Sequence, residues 1–170
     1  MESTTPFDDF YTRELPRVVG AVSLYCGDAD VASELAQEAF VRACERWDEV
    51  CRMARPGAWV HRVAMNLANS YYRRRRAERR ARQRQSQETD DVHRDPDVAD
   101  KVAIRRAVSS LPKRQRQALI WRFYVGMSVA ETAHQMDASE SAVKSLTYRA
   151  TDSLHDMLFE SDREVGDVRP

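Results

Sequence analysis

Residues 86–100, SQETDDVHRDPDVAD, hold no apolar period and include Pro96. Such a stretch cannot bury enough apolar surface to offset the entropy of ordering it, so it reads as a linker. It divides the 170-residue chain into 1–85 and 101–160, with a tail at 161–170 that is expected to lack order. Each part is small enough that only a modest core is affordable. Glycine is scarce, five residues in all, while Ala, Arg, Glu and Gln abound. The expected fold class is therefore all-α: two small helical domains joined by a flexible linker.

Within the first part, Phe7, Phe10, Tyr11, Leu15, Val18, Val19, Val22 and Leu24 recur at three- and four-residue steps and predict a helix over 7–25, kinked or delayed by Pro16 and ended by Gly27-Asp28. Asp30 is expected to cap a helix over 31–47, whose inner stripe is Val31, Leu35, Ala36, Ala39, Phe40, Ala43 and Trp47. A polar loop, 48–56, leads to Pro56 and a third helix from about Gly57. That helix carries Trp59, Val60, Val63 and Leu67 as core residues, with a bend or break near Asn66 or Asn69-Ser70. In the second part helices are expected over 101–109 (Val102, Ile104, Val108), 113–124 (Ala118, Leu119, Ile120, Trp121, Phe123), 129–136 capped by Ser128, and 140 to about 158.

Formal net charge is zero, but the charges are in blocks. Between Arg73 and Arg84 stand eight arginines and one acid, Glu78; between Glu88 and Asp100 stand six acids and one base, Arg94. Such asymmetry points to an anionic partner for the basic block. The three cysteines, Cys26, Cys44 and Cys51, form no CxxC pair and no even framework, and no apolar run approaches the ~20 residues of a membrane span. No signal-peptide core precedes Asp9, so a cytoplasmic chain without membrane insertion is expected. His61, His93, His134 and His155 are scattered without ligand spacing, and no phosphate loop or nucleophile–base set exists. No metal, no cofactor and no catalytic residue is expected; the chain reads as a binding protein.

Two segments carry the binding chemistry. In 128–150, Ala133, Asp137 and Val143 stand at offsets of zero, four and ten. That spacing suits a helix-turn-helix, which needs a small residue at the helix crossing, a turn residue tolerant of left-handed backbone, and a branched anchor on the second helix. With Val143, Leu146 and Ala150 turned inward, Ser141, Lys144, Ser145, Tyr148 and Arg149 face outward, with groups that reach phosphates and base edges in a major groove. In 55–76, RPGAWVHRVAMNLANSYYRRRR, aromatics, amides and arginines interleave. Aromatics stack on unpaired bases, amides bond base edges, and arginines neutralise phosphate.

These segments, in this order, resemble the extracytoplasmic-function sigma factors of bacterial RNA polymerase, in the sigma-70 family. ASELAQEAFVRACERW (32–47) is similar to the family's polymerase-docking helix, 55–76 to its region 2 promoter segment, and LPKRQRQALIWRFYVGMSVAETAHQMDASESAVKSLTYRATDSL (111–154) to its region 4. The resemblance implies that Glu34, Gln37 and Glu38 touch the clamp helices of the largest polymerase subunit, with a flap of the second subunit as a further contact. It implies that Asn66 and Asn69 help capture an unstacked base of the −10 element while Arg73, Arg74, Arg75 and Arg76 hold phosphates. It implies that Ser141, Lys144, Ser145, Tyr148 and Arg149 read the −35 element, with Arg122 on the DNA backbone. Many members are held inactive by an anti-sigma factor, which joins core polymerase and promoter DNA among the implied partners. The sequence departs from the family pattern at Glu34, Ala36, Asp137, Thr147 and Ser70, the last standing where an Asp is frequent. The alternative is a stand-alone helix-turn-helix regulator whose residues 1–85 sense a ligand or dimerise; such a protein has no use for Glu34, Gln37 and Glu38 on an outer face.

Overall fold

The computed structural model describes residues 6–83 and 99–165. All regular structure among them is helical, and the chain divides into two compact units, Met1–Asp95 and Pro96–Pro170. The acidic linker expected over 86–100 lies outside the described residues, save its last two, which open a helix.

The first unit begins with α1, Phe7–Cys26, which runs uninterrupted through Pro16. Proline's missing N–H deprives the Thr12 carbonyl of its helical donor, but Pro16 and Thr12 are both exposed, so solvent covers the loss. Gly27 closes α1 in the left-handed region at φ 74°, its N–H reaching the Ser23 carbonyl at 2.8 Å. The cap of α2, Ala29–Glu45, is Asp28 rather than Asp30: the Asp28 carboxylate accepts from Val31 N at 3.1 Å. Because the glycine ends α1 immediately before it, the next helix starts two residues earlier than the apolar period suggests.

The buried side of α2 is a seam of small residues, Ala32, Ala36, Ala39 and Ala43, plus Phe40. Alanines let helix backbones approach closely, and Val18, Ala21, Val22 and Tyr25 of α1 fill the opposite side. Residues 47–50, expected as the end of a helix and the start of a loop, form a separate turn, α3 (Trp47–Val50). It exists because Trp47 packs on Phe7 and Phe10, with ring centroids 5.2 and 4.9 Å away, while Val50 is fully buried. The third long helix, α4 (Pro56–Gln83), opens at Pro56 and is unbroken at Asn66 and Asn69-Ser70. Its buried face is Val60, His61, Ala64, Met65 and Ala68. Trp59, Val63 and Leu67, expected in the core beside Val60, are only half-buried, because the neighbouring register of the same helix takes the interior.

The second unit starts with α5, Ala99–Ser110, which buries Ala107 and Val108 and leaves Ile104 exposed, contrary to expectation. The next helix is α only over α6, Lys113–Leu119. Residues 120–124 form a π turn, with Val125 N bonding the Ile120 carbonyl at 3.0 Å. The extra residue per turn keeps Ile120 and Trp121 buried and swings Phe123, expected in the core, out to 62% exposure. Gly126, at φ 74°, turns the chain into α7, Val129–Met136, and α8, Glu140–Val165. The helix thus runs past position 158 and through 161–165, where an unordered tail is expected; residues 166–170 lie outside the described set.

Candidate nucleic-acid interface

The turn between α7 and α8 is built from local polar bonds. Ser128 Oγ accepts from Glu131 N at 3.1 Å, and the Glu131 carboxylate accepts from Ser128 N at 2.6 Å, a reciprocal capping box. Asp137 takes the left-handed conformation that ends α7, at φ 47° and ψ 59°. Ser139 Oγ then accepts from Ala142 N at 3.1 Å and starts α8. Ala133 and Val143 are buried at the crossing, as the spacing predicts, and Ala150 is buried about two turns later; Leu146 is half-buried.

On the opposite side of α8, Ser141, Lys144, Ser145, Tyr148 and Arg149 are all exposed, Tyr148 to 70%. Thr147 and Thr151 turn their hydroxyls back onto carbonyls of α8, at 2.8 Å to Val143 and 2.8 Å to Tyr148. The outward face therefore offers two cations, two serine hydroxyls and a phenol over about two turns of helix. Arg122 is half-buried, and its guanidinium donates to the Met127 carbonyl, bracing the Gly126 turn beneath the motif.

In the first unit the same accounting gives a different result. Glu34, Gln37 and Glu38 are exposed on the outer side of α2, and Glu38 pairs with Arg42 one turn on at 3.0 Å. On α4, Asn66, Arg73, Arg74 and Arg75 are exposed; the Arg76 side chain is outside the described set. Asn69 is half-buried, and its amide oxygen accepts from the Tyr25 hydroxyl. Tyr72 donates to the Cys26 carbonyl at 3.3 Å, and burial pushes its phenol well above the ordinary value, with the Cys26 side chain adding to the shift. These two bonds fasten the end of α1 to α4 just before the arginines begin. Beyond them Arg75 reaches the Tyr71 hydroxyl at 3.4 Å and Arg74 lies 4.0 Å from Glu78, both at the surface.

Trp59 is a residue whose place the sequence misassigns. It stands half-buried on the flank of α4 that also carries Val63, Asn66 and Ser70, with the Arg46 guanidinium 5.9 Å from its ring centroid. The competing stripes 60/64/68 and 59/63/67 both have helical spacing; the buried His61 and Met65, one step on, are what select the first.

Comparison with known proteins matches residues 10–78 to sigma-70 region 2 and residues 101–154 to sigma-70 region 4. Relatives include an ECF RNA polymerase sigma factor, EcfG, of Rhodopseudomonas palustris, 31% identical over 82% of this chain and 77% of that protein. The chain belongs to the ECF sigma factors. SigM of Mycobacterium tuberculosis is 30% identical over 89% of the chain and 76% of the relative. BldN of Streptomyces coelicolor is 31% identical over 81% of the chain, which spans 54% of that longer protein. Among solved structures, the sigma factor RpoE from Bartonella quintana, in complex with the anti-sigma factor NepR, has the same fold: TM-score 0.73 at 22% identity, covering 89% of this chain and 96% of that one. Cys26, Cys44 and Cys51 of this sigma factor form no disulfide. Among the described residues no helix is long and apolar enough to cross a membrane.

Proposed function

We propose that this sigma factor binds core RNA polymerase through the outer face of α2 and directs it to promoters by two separate contacts. The first half of α8 lies in the duplex major groove at the −35 element, where Lys144 and Arg149 reach guanine or phosphate and Ser141, Ser145 and Tyr148 contact phosphate or base edges. The exposed flank of α4 handles the opened −10 element: Asn66 bonds an unstacked base, with Asn69 beside it, and Arg73 to Arg76 hold phosphates. Arg122 supports the motif from below and approaches the DNA backbone. The partners are the clamp helices of the largest polymerase subunit, the flap of the second subunit, promoter DNA and an anti-sigma factor of the kind that restrains many members of the family. The setting is the cytoplasm, and the chain contributes binding, not catalysis.

The observation that carries the reading is the division of α8: Val143 and Ala150 are buried while every polar side chain assigned to the groove is exposed. A stand-alone regulator shares that helix but not the family match across residues 10–78. In the test, purified protein is added to core polymerase and run-off transcripts are mapped. Transcripts should start at a defined promoter, and Gln37→Ala with Glu38→Ala should lower them by weakening core binding. A double variant that binds core as wild type does would overturn the docking face.

A further inference from the structure

Val41 stands on the outer face of α2, one turn before its end. At three- and four-residue steps it follows Glu34, Gln37 and Glu38 and precedes Glu45, all of them exposed. It is 52% exposed, and among the described residues of the first unit it is the one large hydrophobic side chain left so. A lone exposed valine is unremarkable in itself; its setting is not. The seam on the far side of α2 is complete without it. An exposed β-branched residue also disfavours helix slightly relative to Ala, Glu or Lys, so Val41 serves neither the core nor the helix. Around it Glu34, Glu38 and Glu45 outnumber Arg42, and Arg42 is engaged by Glu38 at 3.0 Å. The result is a single apolar side chain ringed by net negative charge, the layout of a docking spot in which one desolvated anchor is surrounded by polar contacts.

We propose that Val41 is the apolar anchor of this face, seated in a nonpolar socket on a basic surface of core RNA polymerase. The inference rests on the docking role given above to α2 and adds the residue that holds the complex once charge has oriented it. Charges set the encounter and its salt dependence, whereas a desolvated aliphatic contact sets the dissociation rate and is insensitive to salt.

The test compares full-length Val41→Thr, Val41→Ile and the Gln37→Ala/Glu38→Ala double variant in competition for core polymerase against a labelled reference sigma factor, over a range of salt. Threonine keeps the branching and volume of valine and replaces a methyl by a hydroxyl. Val41→Thr should lose about tenfold in affinity, through faster dissociation, with the wild-type salt slope; Val41→Ile should bind at least as well as wild type. The double variant should flatten the salt slope. If Val41→Thr binds as wild type while the double variant is weakened, the face docks by polar contacts alone and Val41 is no anchor. If neither is weakened, the α2 docking role itself falls. A concentration-dependent dimer of the free chain that Val41→Thr abolishes would assign the spot to a second copy and overturn the proposal.

Discussion

The two units solve the same problem differently. In the second, the capping bonds of the helix-turn-helix are local, spanning three residues at Ser128–Glu131 and Ser139–Ala142, with one longer tie from the Arg114 guanidinium to the Met136 carbonyl at 3.4 Å, and the side chains facing outward from α8 take no part in them. In the first, the bonds that set α4 span 44 and 46 residues, Tyr25 to Asn69 and Tyr72 to Cys26, and one of them uses an amide on the edge of the working surface. Folding and recognition are therefore segregated on α8 and shared on α4. A change on the outer face of α8 should alter binding without altering stability, whereas a change at Asn69 should alter both.

The largest expected effect that would break this contrast is a response to acid. His61 is buried between α1 and α4, and burial pushes its imidazole down from 6.5 to about 4, with Glu14 pulling it up and Arg17 adding to the fall. The unfolded chain therefore takes up a proton below pH 6.5 that the folded unit refuses until about pH 4. Its contribution is intact above pH 6.5 and drains away as pH falls, by about 3 kcal/mol at pH 4. Among the described residues of the second unit the buried polar one is Thr132, which does not titrate in this range. Amide exchange followed peptide by peptide from pH 7 to pH 5 should show the first unit losing protection and the second unit keeping it, with His61→Gln removing most of the difference. Equal loss in both units would mean that His61 does not set the contrast.

Next in size is the separability of α8. Lys144→Ala or Arg149→Ala should cost about 1–3 kcal/mol at the cognate upstream element and relax its sequence choice, with the thermal midpoint unchanged. A uniform loss on all duplexes would make these residues phosphate contacts only. A lowered midpoint would show that α8 shares its polar groups with the fold after all.

The same division explains what the sequence disclosed. The helix-turn-helix was legible because its signals are local and discrete: Ser128 with Glu131, Asp137 at the turn, Val143 at the anchor. The outward set on α8 followed from period alone, because one apolar stripe excludes all others. On α4 two stripes compete, and the tertiary packing decides between them: Gly57 lies close to α1, where a β-carbon would stand 3.0 Å from the Glu14 carboxylate, and Val60, His61, Ala64 and Met65 turn inward over Trp59 and Val63. Asn69, which the family resemblance assigns to a base, is bonded to Tyr25; no pattern within α4 announces a partner 44 residues away. The π turn at 120–124 was equally hidden, since its composition is that of any buried helix and its extra residue shows only in which aromatic is left outside.

The smallest expected effect concerns the one non-glycine residue among those described with positive φ, Asp137 at 47°. Left-handed backbone costs a side-chain-bearing residue about 1–2 kcal/mol, with Asp toward the low end. Glycine removes that cost but adds freedom to the unfolded chain worth about 0.4–1 kcal/mol, so the two terms nearly cancel. Asp137→Gly should therefore stabilise the second unit by only a few tenths of a kcal/mol, and Asp137→Ala should destabilise it by more than that, in denaturant unfolding of the full chain. Specific DNA affinity should stay level for the glycine variant, because Asp137 lies at the turn and outside the row from Ser141 to Arg149. If glycine instead weakens DNA binding while stability holds, the turn carboxylate belongs to the recognition surface, and even on α8 the separation of fold from function is incomplete.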